Sequence, residues 1–130
     1  NAAFGRSIGS AGDINADGFS DLLVGAYLFG QNGTSDQPDE GAVFLYAGSA
    51  AGVTTISSWS ARGNKADAWF GFSAGTAGDI NGDGGMDLIV GAPKYRFDQK
   101  TIMGRAYIFL NTLEDFKEFN ITVFIPIINK

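Results

Sequence analysis

The chain contains no cysteine and no histidine among its 130 residues. Without cysteine it can form neither disulfide bonds nor thiolate zinc sites. Without histidine it cannot assemble a Ser-His-Asp triad, so the Gly-x-Ser-x-Gly sequences at residues 5–9 and 71–75 are not nucleophile elbows of that kind. Catalysis would have to rest on carboxylates or a metal. We expect the metal sites described below to be structural, with their ligand positions filled, and therefore expect that the chain is not an enzyme.

The chain also lacks two features that would point to a membrane or to nucleic acid. No apolar run approaches the roughly 18 residues that a spanning helix needs, and no basic stripe is present. The formal net charge is −5, from nine Lys and Arg against 14 Asp and Glu. Six of those 14 acids lie in two short loops, and the nine bases outnumber the remaining eight. We expect no membrane span and no nucleic-acid partner.

The acidic residues follow a pattern, Asp-x-Asn-x-Asp-Gly-x-x-Asp, that occurs twice: in loop 1 (residues 13–21) and, 66 residues later, in loop 2 (residues 79–87). Oxygen ligands at alternate positions around a turn-forming glycine suit calcium better than magnesium, which demands a rigid octahedron. Side chains would bind at positions 1, 3, 5 and 9, the last through both oxygens, and a main-chain carbonyl at position 7. The predicted ligands of two Ca²⁺ ions are Asp13, Asn15, Asp17, Phe19 and Asp21 in loop 1, and Asp79, Asn81, Asp83, Gly85 and Asp87 in loop 2.

The repeat continues into the flanking segments, which predict strands. Residues 22–26 correspond to 88–92 at the same spacing, and residues 41–46 correspond to 104–109 at a spacing of 63. Short runs rich in Val, Ile, Phe and Tyr alternate with Gly, Asn and Asp clusters, without a helical period. In the first unit we expect strands at residues 4–12, 22–26, 42–47 and 54–59. The pattern predicts an all-β fold of two four-stranded antiparallel propeller blades, residues 1–66 and 67–130.

Three elements recur in order and together resemble FG-GAP repeats, the blades of the integrin alpha-subunit propeller and of many bacterial surface proteins. They are Phe-Gly at residues 4–5 and 70–71, the two loops, and Gly-Ala at 25–26 and 91–92. The second copy matches in full, whereas the first has Tyr27 where the family has proline. The resemblance covers about residues 1–110. It implies a calcium-stabilised β-propeller that works outside the cell or at its surface in adhesion or ligand recognition.

Other interpretations of the loops fit less well. An EF-hand requires glutamate at position 12, where this chain has Val24 and Val90 in expected strands. A dockerin would continue into a helix, which Gly25 and Pro93 would break. Ordinary Asx-turns without metal are a further alternative, although three converging carboxylates repel one another unless a cation is present.

In the integrin-like arrangement that the resemblance implies, a protein or glycan ligand meets the face opposite the calcium loops. The connections expected there are residues 27–40, 60–67 and 93–103. Four aromatic residues in two of them are candidate ligand contacts, because exposed aromatic side chains favour interfaces; packing beneath the loops is an equally good explanation. These candidates are Tyr27, Phe29, Tyr95 and Phe97.

The last segment, residues 111–130, departs from the first unit and ends in a very apolar stretch at residues 119–128. It is either the fourth strand of the second blade or an edge that a partner must cover. Two blades cannot close a ring, so we expect an incomplete propeller that needs further blades from a larger parent chain or a homo-oligomer.

The leading function is a calcium-binding extracellular module for cell adhesion or protein recognition. The alternative is a carbohydrate-binding propeller, or a self-assembling surface or filament subunit that uses the apolar C-terminal strand.

Overall fold

A computed structural model of the chain describes residues 2–30 and 36–111, and the backbone of residues 121–126. Within these ranges the chain forms strands and no helix. None of the described segments is therefore a helix with the length and apolarity needed to cross a bilayer. The strands are β1 (Phe4–Gly12), β2 (Asp21–Ala26), β3 (Ala42–Tyr46), β4 (Gly48–Ser49), β5 (Gly52–Val53), β6 (Trp59–Arg62), β7 (Ser73–Gly78), β8 (Asp87–Ala92), β9 (Arg105–Leu110) and β10 (Ile121–Pro126).

The strands build two four-stranded sheets and one small hairpin. The first sheet has the order β1-β2-β3-β6, the second has the order β7-β8-β9-β10, and β4 pairs with β5. Every neighbouring pair is antiparallel. The strands of each large sheet stand in chain order, with the β4–β5 hairpin inserted between the third and fourth strands of the first sheet, as in a propeller blade. The prediction of two antiparallel blades in an unclosed propeller is confirmed.

The fourth strand of the first blade is not where the sequence placed it. We expected residues 54–59, but β6 begins at Trp59 and pairs with β3 through Leu45↔Trp59 and Phe44↔Ser60. The β4–β5 hairpin reverses the chain first, and Thr54 N–H then donates to the Ala47 carbonyl at 3.0 Å. The β-branched residues that favoured a strand thus form the connection between hairpin and sheet.

The apolar C-terminal segment completes the second blade. Residues 121–126 form β10, which pairs with β9 in unbroken register from Ile121↔Leu110 to Pro126↔Arg105. Proline suits the last position of an outer strand, where no ladder donor is needed. Of the two alternatives for this segment, the structure shows the fourth strand, paired within its own chain.

The two blades pack through opposite faces of equivalent sheets. Blade 1 contributes Leu23, Val43 and Leu45 to a shared core, and blade 2 contributes Val90, Tyr107 and other residues on the facing side of its sheet. Tyr107 lies edge-on to Phe70 with ring centroids 4.9 Å apart. Because the contact joins different faces, each blade has one face that is not used in the contact. At the position equivalent to the buried Leu23, Ile89 of blade 2 is 39% exposed.

Small residues let the inner strands approach. A Cβ at Gly25 would overlap the Gly71 carbonyl oxygen, and one at Gly41, which has a φ of +83°, would overlap the Phe70 backbone. Ser7 Oγ donates to the same Gly71 carbonyl at 3.0 Å. These contacts join β1, β2 and the residue before β3 to the start of blade 2.

Candidate metal centre

Loop 1 connects β1 to β2 and turns its polar side chains inward. Asp13 accepts the Asp17 N–H through Oδ1 at 3.0 Å and the Gly18 N–H through Oδ2 at 2.8 Å. Asn15 Oδ1 also accepts the Asp17 N–H, at 3.2 Å. The side-chain oxygens at motif positions 1 and 3 therefore meet at one backbone N–H.

Loop 2, between β7 and β8, repeats these bonds. Asp79 accepts from Asp83 N–H at 3.1 Å and from Gly84 N–H at 2.8 Å, and Asn81 Oδ1 lies 3.4 Å from the same Asp83 nitrogen. The glycine at position 6 has a left-handed φ in both loops, +91° at Gly18 and +93° at Gly84. This backbone conformation costs glycine little and explains its place in the motif.

The last aspartate of each loop is buried. Asp21 is 4% exposed and Asp87 is 0% exposed. Asp21 accepts the Ile14 N–H at 2.8 Å and the Gly48 N–H at 2.8 Å. In loop 2 the same pair of bonds, at 2.7 and 2.9 Å, comes from the N–H groups of Ile80 and Asn111. Each aspartate therefore ties its loop to a residue just after the third strand of its blade.

Sequence reasoning missed Gly48 and Asn111 as partners of the loops. The signal was present, because these residues lie 63 apart, the spacing that relates the third strands of the two units. The spacing aligns the two residues, but a glycine and an asparagine share no side-chain chemistry that would indicate a contact with the loops. A Cβ at Gly48 would collide with the Ser20 carbonyl, whereas in blade 2 the small residue is Gly85, whose Cβ would collide with the Asn111 carbonyl. At position 7 of the motif, loop 1 has Phe19 and loop 2 has Gly85. Blade 1 thus pairs a large loop residue with Gly48, and blade 2 pairs a small loop residue with Asn111.

The donors of the loops suit calcium. Each offers three carboxylates, one amide and one carbonyl, and a carboxylate oxygen that accepts one N–H keeps a further lone pair. Among residues 2–30 and 36–111, no three His, Cys, Asp or Glu side chains are gathered as they would be around a metal ion. In this conformation the carboxylates accept backbone N–H groups of the loops and of Gly48 and Asn111. The chemistry fits calcium, and coordination by the ten named residues stays a prediction.

Comparison with known proteins supplies the family. Residues 4–46 and 70–109 match the FG-GAP repeat family. These stretches contain both loops and make up more than half of the chain. The chain belongs to the FG-GAP repeat family.

Similar curated proteins are integrin alpha chains. Integrin alpha-5 of Xenopus laevis is 38% identical over 93 residues, which cover 68% of this FG-GAP chain and 8% of that protein. Integrin alpha-E of Mus musculus is 36% identical over 95 residues, or 71% of the chain and 8% of the relative. Integrin alpha pat-2 of Caenorhabditis briggsae is 38% identical over 95 residues, which cover 70% of the chain and 7% of that protein. The FG-GAP chain thus spans a small part of the length of these relatives.

Two of the four aromatic candidates on the FG-GAP chain pack against other rings. Tyr27 lies edge-on to Trp69 and Phe72 of blade 2, with centroids 4.9 and 5.2 Å away. Phe29 packs on Phe44 at 5.9 Å. Tyr27 therefore joins the two blades, a contact that residue type alone did not reveal.

The other two candidates, Tyr95 and Phe97, line one cavity of about 170 Å³ with Met103, Gly104 and Arg105. The Arg105 guanidinium lies 3.6 Å from the centre of the Tyr95 ring. Phe97 is 77% exposed. A contact of any of the four candidates with a ligand stays a prediction, and the cavity makes Tyr95 and Phe97 the stronger pair.

Proposed function

We propose that this FG-GAP chain is a calcium-binding β-propeller module that works outside the cell or at the cell surface in adhesion or protein recognition. The observation that carries the calcium site is the duplicated loop, in which two sequences 66 residues apart make the same hydrogen bonds. The likeness to integrin alpha chains supports the adhesive role and the location. Under this proposal residues 1–66 and 67–130 are two blades of a larger propeller.

The calcium in this proposal is structural. Asp13, Asn15, Asp17 and Asp21, with the Phe19 carbonyl, would hold one ion, and the equivalent residues of loop 2 would hold the other. The bound ion would draw the loop carboxylates together, neutralise their charge and fix the turn. Since each loop supplies about six protein oxygens, the ion needs no ligand side chain to complete a six-coordinate shell. The chain's own residues thus order the turns, and we propose no catalytic role for them.

Recognition is assigned to the end of the sheet away from the loops. Strand β2 starts at Asp21 and ends at Ala26, so Tyr27 lies about 20 Å from the calcium loop at roughly 3.3 Å per residue. Strand β8 separates loop 2 from Tyr95 and Phe97 in the same way. The exposed Phe97 ring and the adjoining cavity offer an apolar contact with one cation, Arg105, at its edge. This combination favours a protein ligand with an aromatic or aliphatic side chain.

Calorimetric titration with calcium tests the metal sites. We expect two ions per wild-type chain and one per chain in the variants Asp13→Ala and Asp79→Ala. The matched control is Asp36→Ala, which removes an exposed aspartate outside the loops and should leave two sites. Wild-type protein that takes up no calcium at millimolar concentration would refute the metal assignment.

An array of secreted and membrane-protein ectodomains tests recognition. The immobilised chain should bind a protein on the array, and Phe97→Ala or Tyr95→Ala should weaken that binding. Ile56→Ala is the control, because Ile56 is 81% exposed between β5 and β6. Binding to a glycan array instead would support a carbohydrate-binding propeller, and stable oligomers whose mass rises with protein concentration would support a self-assembling subunit.

A further inference from the structure

Asn111 contacts both calcium loops, although it belongs to neither motif. Its side chain is buried, with 1% of the residue exposed. Its backbone N–H donates to Asp87 of loop 2 at 2.9 Å, while its Nδ2 donates to the carbonyl of Ile14 in loop 1 at 2.8 Å. The second bond crosses the blade interface and joins residues 97 positions apart.

The loop 2 side of this link is fixed by two predicted calcium ligands. Asp87, at position 9, accepts the Asn111 N–H. Gly85, at position 7, packs so closely on the Asn111 carbonyl that a Cβ there would collide with it. An ion that held Asp87 and the Gly85 carbonyl would therefore also fix the backbone of Asn111.

The loop 1 side acts on the residue that anchors that loop. Ile14 donates its N–H to Asp21 at 2.8 Å, and its side chain is 1% exposed in the core between the blades. The Asn111 amide holds the carbonyl of this same residue. Ile14 is thus held through its N–H, its carbonyl and its side chain.

We propose that Asn111 is a positioning residue that couples the two calcium loops, so that order at loop 2 raises the calcium affinity of loop 1. This inference rests on the proposed calcium function. Apart from the bond to Ile14, the side-chain amide of Asn111 makes no favourable hydrogen bond through its oxygen in the described part of the chain, because the buried Oδ1 has no partner there. A buried acceptor without a partner is unfavourable, which leaves the bond to loop 1 as the favourable contact of this amide.

The first blade supplies the reference variant. Gly48, at the position equivalent to Asn111, donates its backbone N–H to Asp21 and has no side chain with which to reach another loop. Asn111→Gly should therefore keep the bond to Asp87 and remove only the bond to Ile14. Asn64→Gly is the matched control: Asn64 is exposed, it has a left-handed φ of 53° that glycine adopts freely, and its backbone N–H bond to Glu40 would remain.

Calcium titrations followed by NMR test the coupling, with the amides of Gly18 and Gly84 as separate reporters of the loops. In the Asp79→Ala background, Asn111→Gly should weaken loop 1 by about five-fold, the effect expected for one hydrogen bond. In the Asp13→Ala background it should change the affinity of loop 2 by less than about two-fold, and Asn64→Gly should change neither loop. In protein with both loops intact, loop 1 should bind tighter than in Asp79→Ala, and Asn111→Gly should reduce that advantage.

Amide hydrogen exchange in chelator gives a readout without metal. Asn111→Gly should speed exchange at Ile14, Asp17 and Gly18 but not at Asp83 and Gly84.

If Asn111→Gly fails to fold, Asn111→Leu keeps a side chain of similar length without the donor. In the single-loop backgrounds Asp79→Ala and Asp13→Ala, equal weakening of the two loops by Asn111→Gly, or no change at loop 1, would overturn the coupling. Wild-type protein that binds no calcium would refute the proposed function, whereas exchange confined to loop 1 would still show that Asn111 orders that loop.

Discussion

Loop 1 and loop 2 make the same hydrogen bonds within the motif but lie in different surroundings. Ile14 at position 2 of loop 1 is 1% exposed, whereas Ile80 at the same position of loop 2 is 50% exposed. The difference arises because blade 2 covers loop 1 and, within the described residues, no later blade covers loop 2. The motif thus determines the chemistry of each loop, and the neighbouring blade determines how firmly the loop is held.

The largest expected difference between the loops is in the packing of position 2. Ile14→Ala should lower the free energy of unfolding by about 3–4 kcal/mol, since it opens a cavity in the core between the blades. Ile80→Ala should lower it by less than about 1 kcal/mol, because half of that side chain already faces solvent. Urea denaturation in chelator measures both. Equal losses of unfolding free energy in the two variants would contradict the conclusion that the neighbouring blade holds loop 1 more firmly than loop 2.

The buried aspartates should behave alike, because their bonds are alike. In chelator, Asp21→Ala and Asp87→Ala should each lower the free energy of unfolding by about 2–3 kcal/mol, since each leaves two backbone N–H groups without an acceptor. The exposed Asp36 provides the control, and Asp36→Ala should change stability by less than about 0.5 kcal/mol. If one aspartate proved dispensable, its hydrogen bonds would not be what holds that loop.

Position 4 of the motif gives the smallest expected difference. Ala16 has a φ of +58° and Gly82 has a φ of +71°, a region that alanine adopts at a cost. Ala16→Gly should raise the free energy of unfolding by about 0.5–1 kcal/mol, and Gly82→Ala should lower it by a similar amount. Thermal melts of the two exchanged variants test this. Shifts of the same sign would contradict the shared backbone geometry.

Much of the fold follows from local sequence features. The alternation of apolar runs with Gly and Asp clusters predicted β1, β2, β3, β8 and β9 nearly to the residue, because turn chemistry fixes where those strands end. The fourth strand of blade 1 was misplaced because the hairpin before it has strands of only two residues each, Gly48–Ser49 and Gly52–Val53, which carry almost no hydrophobic pattern. Strand propensity at residues 54–58 therefore gave the wrong answer.

Contacts between the blades could not be read from the sequence in the same way. The motif named the loop residues, but nothing local to Asn111 indicates that its amide reaches Ile14 across the interface. The same holds for Tyr27, whose ring meets Trp69 only because the inner strands of the two blades converge. Such contacts depend on how the sheets pack, which the repeat spacing does not specify.

Chemical denaturation of the wild-type chain with and without calcium tests the central claim most directly. With free calcium at 100 times the dissociation constant, each occupied loop should add about 2.7 kcal/mol to the free energy of unfolding relative to chelator. Asp13→Ala and Asp79→Ala should each retain the gain from one loop. Two such increments in the wild type would support a calcium-stabilised pair of FG-GAP blades, whereas the same unfolding midpoint in calcium and in chelator would contradict it.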